Sequence, residues 1–196
     1  MASATSYPVR RSTRLQGYDY SQAGAYFITL CTEDRVCRFG TVQDDDVELG
    51  PVGEMVAESW LQLGDRFGVG IDAFVVMPNH LHGILVVNHP IEGAKRPEGQ
   101  DRVLTAGLDS VPARFVAGPQ DGLRPIPLPE IVRRFKSYTA NQARSLDPQL
   151  RSRNTSLWQR NYHDRIIRND RELEAIRAYI ANNPLAWSLD REHPVW

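Results

Sequence analysis

Cysteine is scarce: the chain has only Cys31 and Cys37. That excludes a disulfide framework, and their separation fits no zinc-ribbon or redox spacing, so a reducing cytoplasm is the expected setting. No apolar run approaches the roughly 20 residues of a membrane helix, so no membrane partner is predicted. The opening stretch MASATSYPVRRSTRLQGY has no apolar core and does not read as a secretory signal. Charge of either sign is not in excess, the formal net being −1, which taken alone argues against a nucleic-acid binder. Histidine is sparse too, with five in 196 residues.

What is present is the composition of a soluble globular protein, 41% hydrophobic and 24% charged, long enough for one ample domain. The charge is unevenly placed. Asp44 to Asp72 holds eight acids and one base, Arg66, whereas Arg124 to Arg168 holds ten bases against Glu130, Asp147 and Asp164. Arg10, Arg11 and Arg14 add an acid-free basic stretch near the start. A neutral total can therefore hide one basic face able to track phosphates, or simply reflect an uneven, well-solvated exterior.

Residues 1–16 read as a flexible basic arm and 17–196 as a single domain. GAYFITLCTED has the aromatic and β-branched content of a strand. After an acidic turn, VGEMVAESWLQLGDRFG places Val52, Met55, Val56, Trp60 and Leu63 on a helical stripe, with Gly64 and Gly68 as stop signals. Two strands follow, Ile71–Met77 and His80–Val87, broken near Pro78; the second is apolar on both sides and so expected to be central. Residues 88–127 are rich in Pro and Gly without periodicity, which predicts a mobile insertion. LPEIVRRFKSYTANQARSL restores a helix, with Ile131, Val132, Phe135 and Tyr138 on one side and Arg133, Arg134 and Lys136 around it. SLWQRNYHDRIIR is strand-like, and the last helix opens at Asn169 or Asp170 and stops at Pro184. This order predicts an α+β fold, a mostly antiparallel central sheet with packed helices.

The histidines carry the first chemical signal. In MPNHLHG, His80 and His82 are two apart, so on a strand both point to one face and can offer ring nitrogens to one divalent metal. The alternative is a pair of core histidines, which needs two or more buried hydrogen-bond acceptors. A structural zinc site is disfavoured because two further Cys or His ligands are missing. The second signal is AYIANNP: Tyr179 and Asn183 are four apart on one helical face, at the border of the side carrying Ile176 and Ile180. Tyr179 is then an amphipathic edge residue or something more, and Asn183 could be a third, oxygen ligand.

MPNHLHGILVV, then FKSYTANQAR, then LWQRNYHDRIIRND, then a helix ending YIANNPLAW, together resemble the REP-associated tyrosine transposases, relatives of the one-tyrosine transposases in the His-hydrophobe-His (HUH) endonuclease superfamily. The similarity runs from about Tyr18 to Trp187 apart from 88–127. It implies a ferredoxin-like sheet with the histidine motif on a central strand, a bound Mg²⁺ or Mn²⁺, and a helix presenting a nucleophile. By position Tyr179 matches that nucleophile, His80 and His82 the metal ligands, and Asn183 the polar residue one turn on.

The residue types suit that chemistry. A phenol is mostly protonated at neutral pH and attacks poorly unaided. A metal on the histidines can polarise a scissile phosphate, and attack by Tyr179 gives a 5′-phosphotyrosine and a free 3′-hydroxyl. The expected partner is single-stranded or hairpin DNA, met by Arg133, Arg134, Lys136 and Tyr138 and by Arg14 of the arm; the plainer reading of the helix is a solvated basic face. Tyr138 is the chief rival nucleophile. His163 either orients phosphate or merely ends a strand, and His89 and His193 read as incidental. The expected function is metal-dependent single-strand DNA cleavage and transfer, by a monomer or homodimer. The competing function is a non-catalytic hairpin-DNA-binding regulator on the same fold. An amidohydrolase barrel needs a longer chain.

Overall fold

The computed structural model describes residues 17–87, 126–152 and 155–189. The predicted arm 1–16 with Arg14, the predicted insertion 88–127 except Ile126 and Pro127, and His89 and His193 lie outside the described residues.

Four antiparallel strands make the central sheet: β1 (Gly24–Cys31), β4 (Gly70–Met77), β5 (His80–Val87) and β6 (His163–Ile167), in the order β4-β5-β1-β6. The strand carrying the histidine pair is therefore interior, as its two-sided apolar character requires. A separate hairpin, β2 (Gly40–Gln43) with β3 (Asp46–Leu49), precedes the helices α1 (Pro51–Leu61) and α2 (Leu63–Phe67). The remaining helices are α3 (Leu128–Leu146), α4 (Pro148–Ser152) and α5 (Asp170–Ala181). The whole is the α+β architecture the element order predicts.

Strand alternation splits the core into two layers. On one side Tyr26, Ile28, Leu30, Phe74, Val76, Leu81 and Leu85 meet α1 through Val52, Val56 and Trp60, and α3 through Leu128, Ile131, Val132 and Phe135. Trp60 is wholly buried and lies against Gly83, where an added Cβ would sit 2.5 Å from the indole. Burying a side chain of that kind stabilises by roughly 1.5–3 kcal/mol, and only glycine lets the ring approach the strand so closely. On the other side Ala73, Val75, Met77 and Ile84 meet Ile176 and Ile180 of α5. The two histidines point into this second layer.

Three local readings need correction. The acidic turn is a strand pair: Asp44 and Asp45, both at positive φ (50° and 66°), form the two-residue loop of the β2–β3 hairpin. The predicted single helix breaks at Gln62, so Gly64 lies inside α2 instead of stopping a helix; Gly68, left-handed at φ 64°, is the stop. Tyr138 is exposed, not part of the apolar side of α3. Its place inside goes to Thr139, whose hydroxyl donates to the Phe135 carbonyl (2.8 Å) and accepts from Trp158 Nε1 (2.9 Å).

Candidate active site

The site starts from a two-residue connection, Pro78–Asn79, that turns β4 into β5 with Met77 opposite His80. The turn is tied down by its own carbonyls: Pro78 accepts from the Phe39 amide (2.9 Å), and Asn79 from the Thr32 amide (2.8 Å) and hydroxyl (3.0 Å). His80 and His82 leave it side by side, with ring centroids 4.5 Å apart, both buried.

Each ring is oriented through Nδ1. The Asn79 side-chain nitrogen donates to the Arg35 carbonyl (3.1 Å), which fixes the amide so that its oxygen faces His80 Nδ1 at 2.9 Å. An amide oxygen only accepts, so the proton sits on His80 Nδ1 and Nε2 keeps its lone pair. Thr29, directly opposite His82 on β1, places its hydroxyl 2.8 Å from His82 Nδ1. With Nδ1–H donating to Thr29, His82 Nε2 accepts from the Tyr179 hydroxyl at 3.2 Å. Burial, reinforced by the neighbouring His80, holds the His82 imidazole well below its ordinary pKa and hence neutral. A neutral ring presenting Nε2 is the form in which imidazole binds a metal.

Helix α5 brings up the phenol. Asn169 caps it, accepting from the Glu172 amide (2.9 Å). Arg177 clamps it to β4 with a two-pronged ion pair to Asp72, 2.8 and 2.6 Å. Burial pushes the Asp72 carboxyl up, but Arg177 and the Ala73 amide outweigh it and hold the pKa below the usual range. The clamp is two residues before Tyr179, so it sets where that ring lands. Tyr179 packs on His82 (centroids 5.2 Å) yet is 47% exposed and so open to solvent. Phe27 stacks on His82 (5.3 Å) and meets Tyr179 edge-on (6.0 Å), while Trp187 covers His80 (5.9 Å).

Asn183 lies past the end of α5, on the stretch of chain that runs from Tyr179 at His82 to Trp187 at His80. Its side chain is 1% exposed, and neither amide atom has a hydrogen-bond partner among the described residues. A buried amide left so is costly unless a ligand meets it. Among the described residues no group of three or more His, Cys, Asp or Glu is placed to hold a metal. The donors on offer are two imidazoles and that amide. They fit a divalent ion that keeps open positions, and not a four-ligand structural zinc. Neither Cys31 nor Cys37 forms a disulfide.

The remaining predicted residues lie on α3, in the layer across the sheet from the histidines. Arg133 and Arg134 are exposed and share Glu130 at 2.7 Å each; Arg133 first and Arg134 second bring that carboxyl down to about 2. Arg66 stacks over Tyr138 at 4.4 Å. Hydrogen bonds from Gln142 and then Arg66 lower the phenol's pKa. Arg133, Arg134 and Tyr138, with Ser137, Asn141 and Arg144, line an open groove of about 530 Å³. Lys136 instead turns inward, its ammonium donating to the carbonyls of Gln159 (2.6 Å), Arg160 (3.1 Å) and Asn161 (3.4 Å). Sequence reading missed Asn79, Thr29, Phe27, Asp72, Arg177 and Trp187. Only Asn79 carries a local signal, its place beside the motif.

The family model for IS200-like transposases matches residues 124–183, from the approach to α3 through Asn183. An uncharacterised protein of Haemophilus influenzae is 36% identical over 183 residues, 93% of this chain and 92% of that one. Among solved structures, a REP-associated tyrosine transposase bound to a REP hairpin aligns over 97% of this chain and 77% of that chain, with 16% identity and a TM-score of 0.51. A putative transposase from Deinococcus radiodurans aligns over 86% and 95%, with 17% identity and a TM-score of 0.46. No helix among the described residues is long and apolar enough to cross a membrane. With its helix-packed antiparallel sheet, its family match and a relative 36% identical over 93% of its length, the chain belongs to the IS200-like transposases.

Proposed function

We propose that this transposase cleaves and rejoins single-stranded DNA beside a hairpin, using Tyr179 as the nucleophile. The observation that carries the reading is the 3.2 Å hydrogen bond between the Tyr179 hydroxyl and His82 Nε2, made within one chain between α5 and β5. It needs no second subunit to bring phenol and imidazoles together.

The residues divide the work. His80, His82 and the Asn183 amide would hold a divalent ion, Mg²⁺ or Mn²⁺. When bound, that ion supplies polarisation of the scissile phosphate and stabilises the charge that develops on it. Asn79 accepts from His80 Nδ1 and so favours the tautomer that leaves His80 Nε2 available, and the Thr29 hydroxyl anchors His82 through Nδ1; an ion at His82 Nε2 would take the place of the Tyr179 hydrogen bond. Trp187 and Phe27 wall the pair and exclude water from it. Tyr179 Oη forms the bond to phosphorus and gives up its proton; the bond from phosphorus to the 3′-oxygen breaks, and that oxygen takes up a proton. The products are a 5′-phosphotyrosine and a 3′-hydroxyl, and the reverse attack restores a phosphodiester.

Hairpin DNA is the substrate favoured by the fold neighbour, which is bound to a REP hairpin. Arg133, Arg134 and Tyr138 offer that hairpin a basic and aromatic surface on α3. The test is a cleavage assay on hairpin oligonucleotides carrying single-stranded flanks, with one arm metal-free. Cleavage is expected only with the divalent ion and only with flanked substrate. Tight binding with no cleavage under any divalent ion would instead favour the non-catalytic regulator.

A further inference from the structure

On the layer that holds the histidines, burial falls away across the sheet. Ala73, Val75 and Met77 of β4 and His80, His82 and Ile84 of β5 are buried beneath α5. On β1, Ala25 and Phe27 are half-buried. On β6, His163 and Arg165 are exposed. The register puts these residues in rows: His163 opposite Thr29, itself opposite His82, and Arg165 opposite Phe27. Because alternate residues share a face, His163, Arg165, Phe27 and Thr29 all look out on the side of the histidine pair. Helix α5, clamped to β4, thus leaves a shelf over β1 and β6 that adjoins the half-exposed Tyr179.

We propose that this shelf is the seat of the single-stranded segment next to the scissile phosphate, with Phe27 carrying a base or sugar and His163 and Arg165 holding backbone phosphates. The inference rests on the reading of Tyr179 as nucleophile and adds the substrate's path to it. Three features select single-stranded DNA as the occupant. Phe27 is an aromatic surface continuous with the site, in contact with both His82 and Tyr179. His163 and Arg165 are nitrogen donors on the open side, matching the charge of a phosphate backbone. Arg165 uses Nε and Nη2 on Glu172, and a guanidinium has five N–H donors, so further contacts are open to it. A duplex, whose bases are stacked inside, gives Phe27 nothing to lie against. The α3 groove lies in the opposite layer, across the sheet from this shelf.

The experiment is fluorescence anisotropy without divalent metal, on two labelled DNAs: a bare hairpin and the same hairpin with a single-stranded flank. His163→Ala and Phe27→Leu are each expected to weaken the flanked DNA at least threefold, and together about tenfold or more, with the bare hairpin unchanged. Arg165→Gln is expected to do the same, whereas Glu172→Gln, which breaks the same ion pair but keeps the arginine, should bind as tightly as the parent or tighter. Unchanged affinity of His163→Ala and Phe27→Leu for the flanked DNA overturns the proposal, as does an equal loss on both DNAs. If the parent protein forms the covalent adduct while these variants bind and react like it, only the shelf fails; if the parent forms no adduct on any DNA, the nucleophile reading fails.

Discussion

Replacing Asn79 by alanine removes the group that decides which nitrogen of His80 carries the proton. The side chain accepts from His80 Nδ1 (2.9 Å) and donates to the Arg35 carbonyl (3.1 Å), and Asn79 has no solvent exposure. Loss of an acceptor for a buried N–H costs about 1–3 kcal/mol. Without that acceptor nothing favours the tautomer with the proton on Nδ1 over the one with the proton on Nε2, which cannot bind a metal through that atom, and the ring loses its anchor. With the ring free to shift and to hold its proton on either nitrogen, Mn²⁺ affinity should fall about tenfold. That lies at the lower edge of the 10- to 100-fold typical when a ligand's supporting hydrogen bond is removed. Titration of Mn²⁺ followed by its electron paramagnetic resonance signal measures this directly, with circular dichroism confirming that the variant is folded. Asn79→Asp keeps an acceptor at the same place and should retain most of the affinity. A folded Asn79→Ala protein that binds Mn²⁺ within twofold of the parent would refute the orientation argument.

Other outcomes follow from the same contacts. Asp72 has a folded pKa below its unfolded value, so its contribution is present above about pH 4 and lost as pH falls through the folded value; Asp72→Asn should flatten the acid limb of stability against pH, read by urea unfolding. Gly83→Ala forces a methyl onto the Trp60 ring and should cost about 1–3 kcal/mol in the same assay, without changing Mn²⁺ affinity. Lys136→Met removes an ammonium bonded to three carbonyls and should cost roughly 1.5–3 kcal/mol of stability while leaving the salt dependence of DNA binding unchanged. Arg133→Ala with Arg134→Ala should do the reverse, reducing the slope of log affinity against log salt by about 1.5.

How much of this was legible in the chain depends on whether the signal is local. The interior strand His80–Val87, the capped helix beginning after Asn169 and the pairing of two imidazoles on one face are all written within a few residues of each other. Tyr179 was placed correctly at the border of Ile176 and Ile180 because helical spacing is a local rule. The β2–β3 hairpin escaped because its strands are four residues each and its loop is two aspartates, which read as a charged turn. Tyr138 and Thr139 were exchanged because an aromatic at helical spacing looks apolar, and only the indole of Trp158 makes the hydroxyl welcome inside. Thr29 and Asp72 take their roles from partners 53 and 105 residues away, so nothing near them in sequence marks them. The inward turn of Lys136 is of the same kind: its charge was visible, but the loop of carbonyls that it serves was not.

The central claim is that the phenol of Tyr179 becomes bonded to DNA. The direct measurement is to incubate a flanked hairpin with the protein and Mn²⁺, digest protein and DNA, and locate the nucleotide-bearing peptide by mass spectrometry. The expected result is a phosphodeoxynucleotide on the peptide containing Tyr179, joined through its 5′-phosphate, and none in Tyr179→Phe. An adduct on the Tyr138 peptide, or one that persists in Tyr179→Phe, would contradict it.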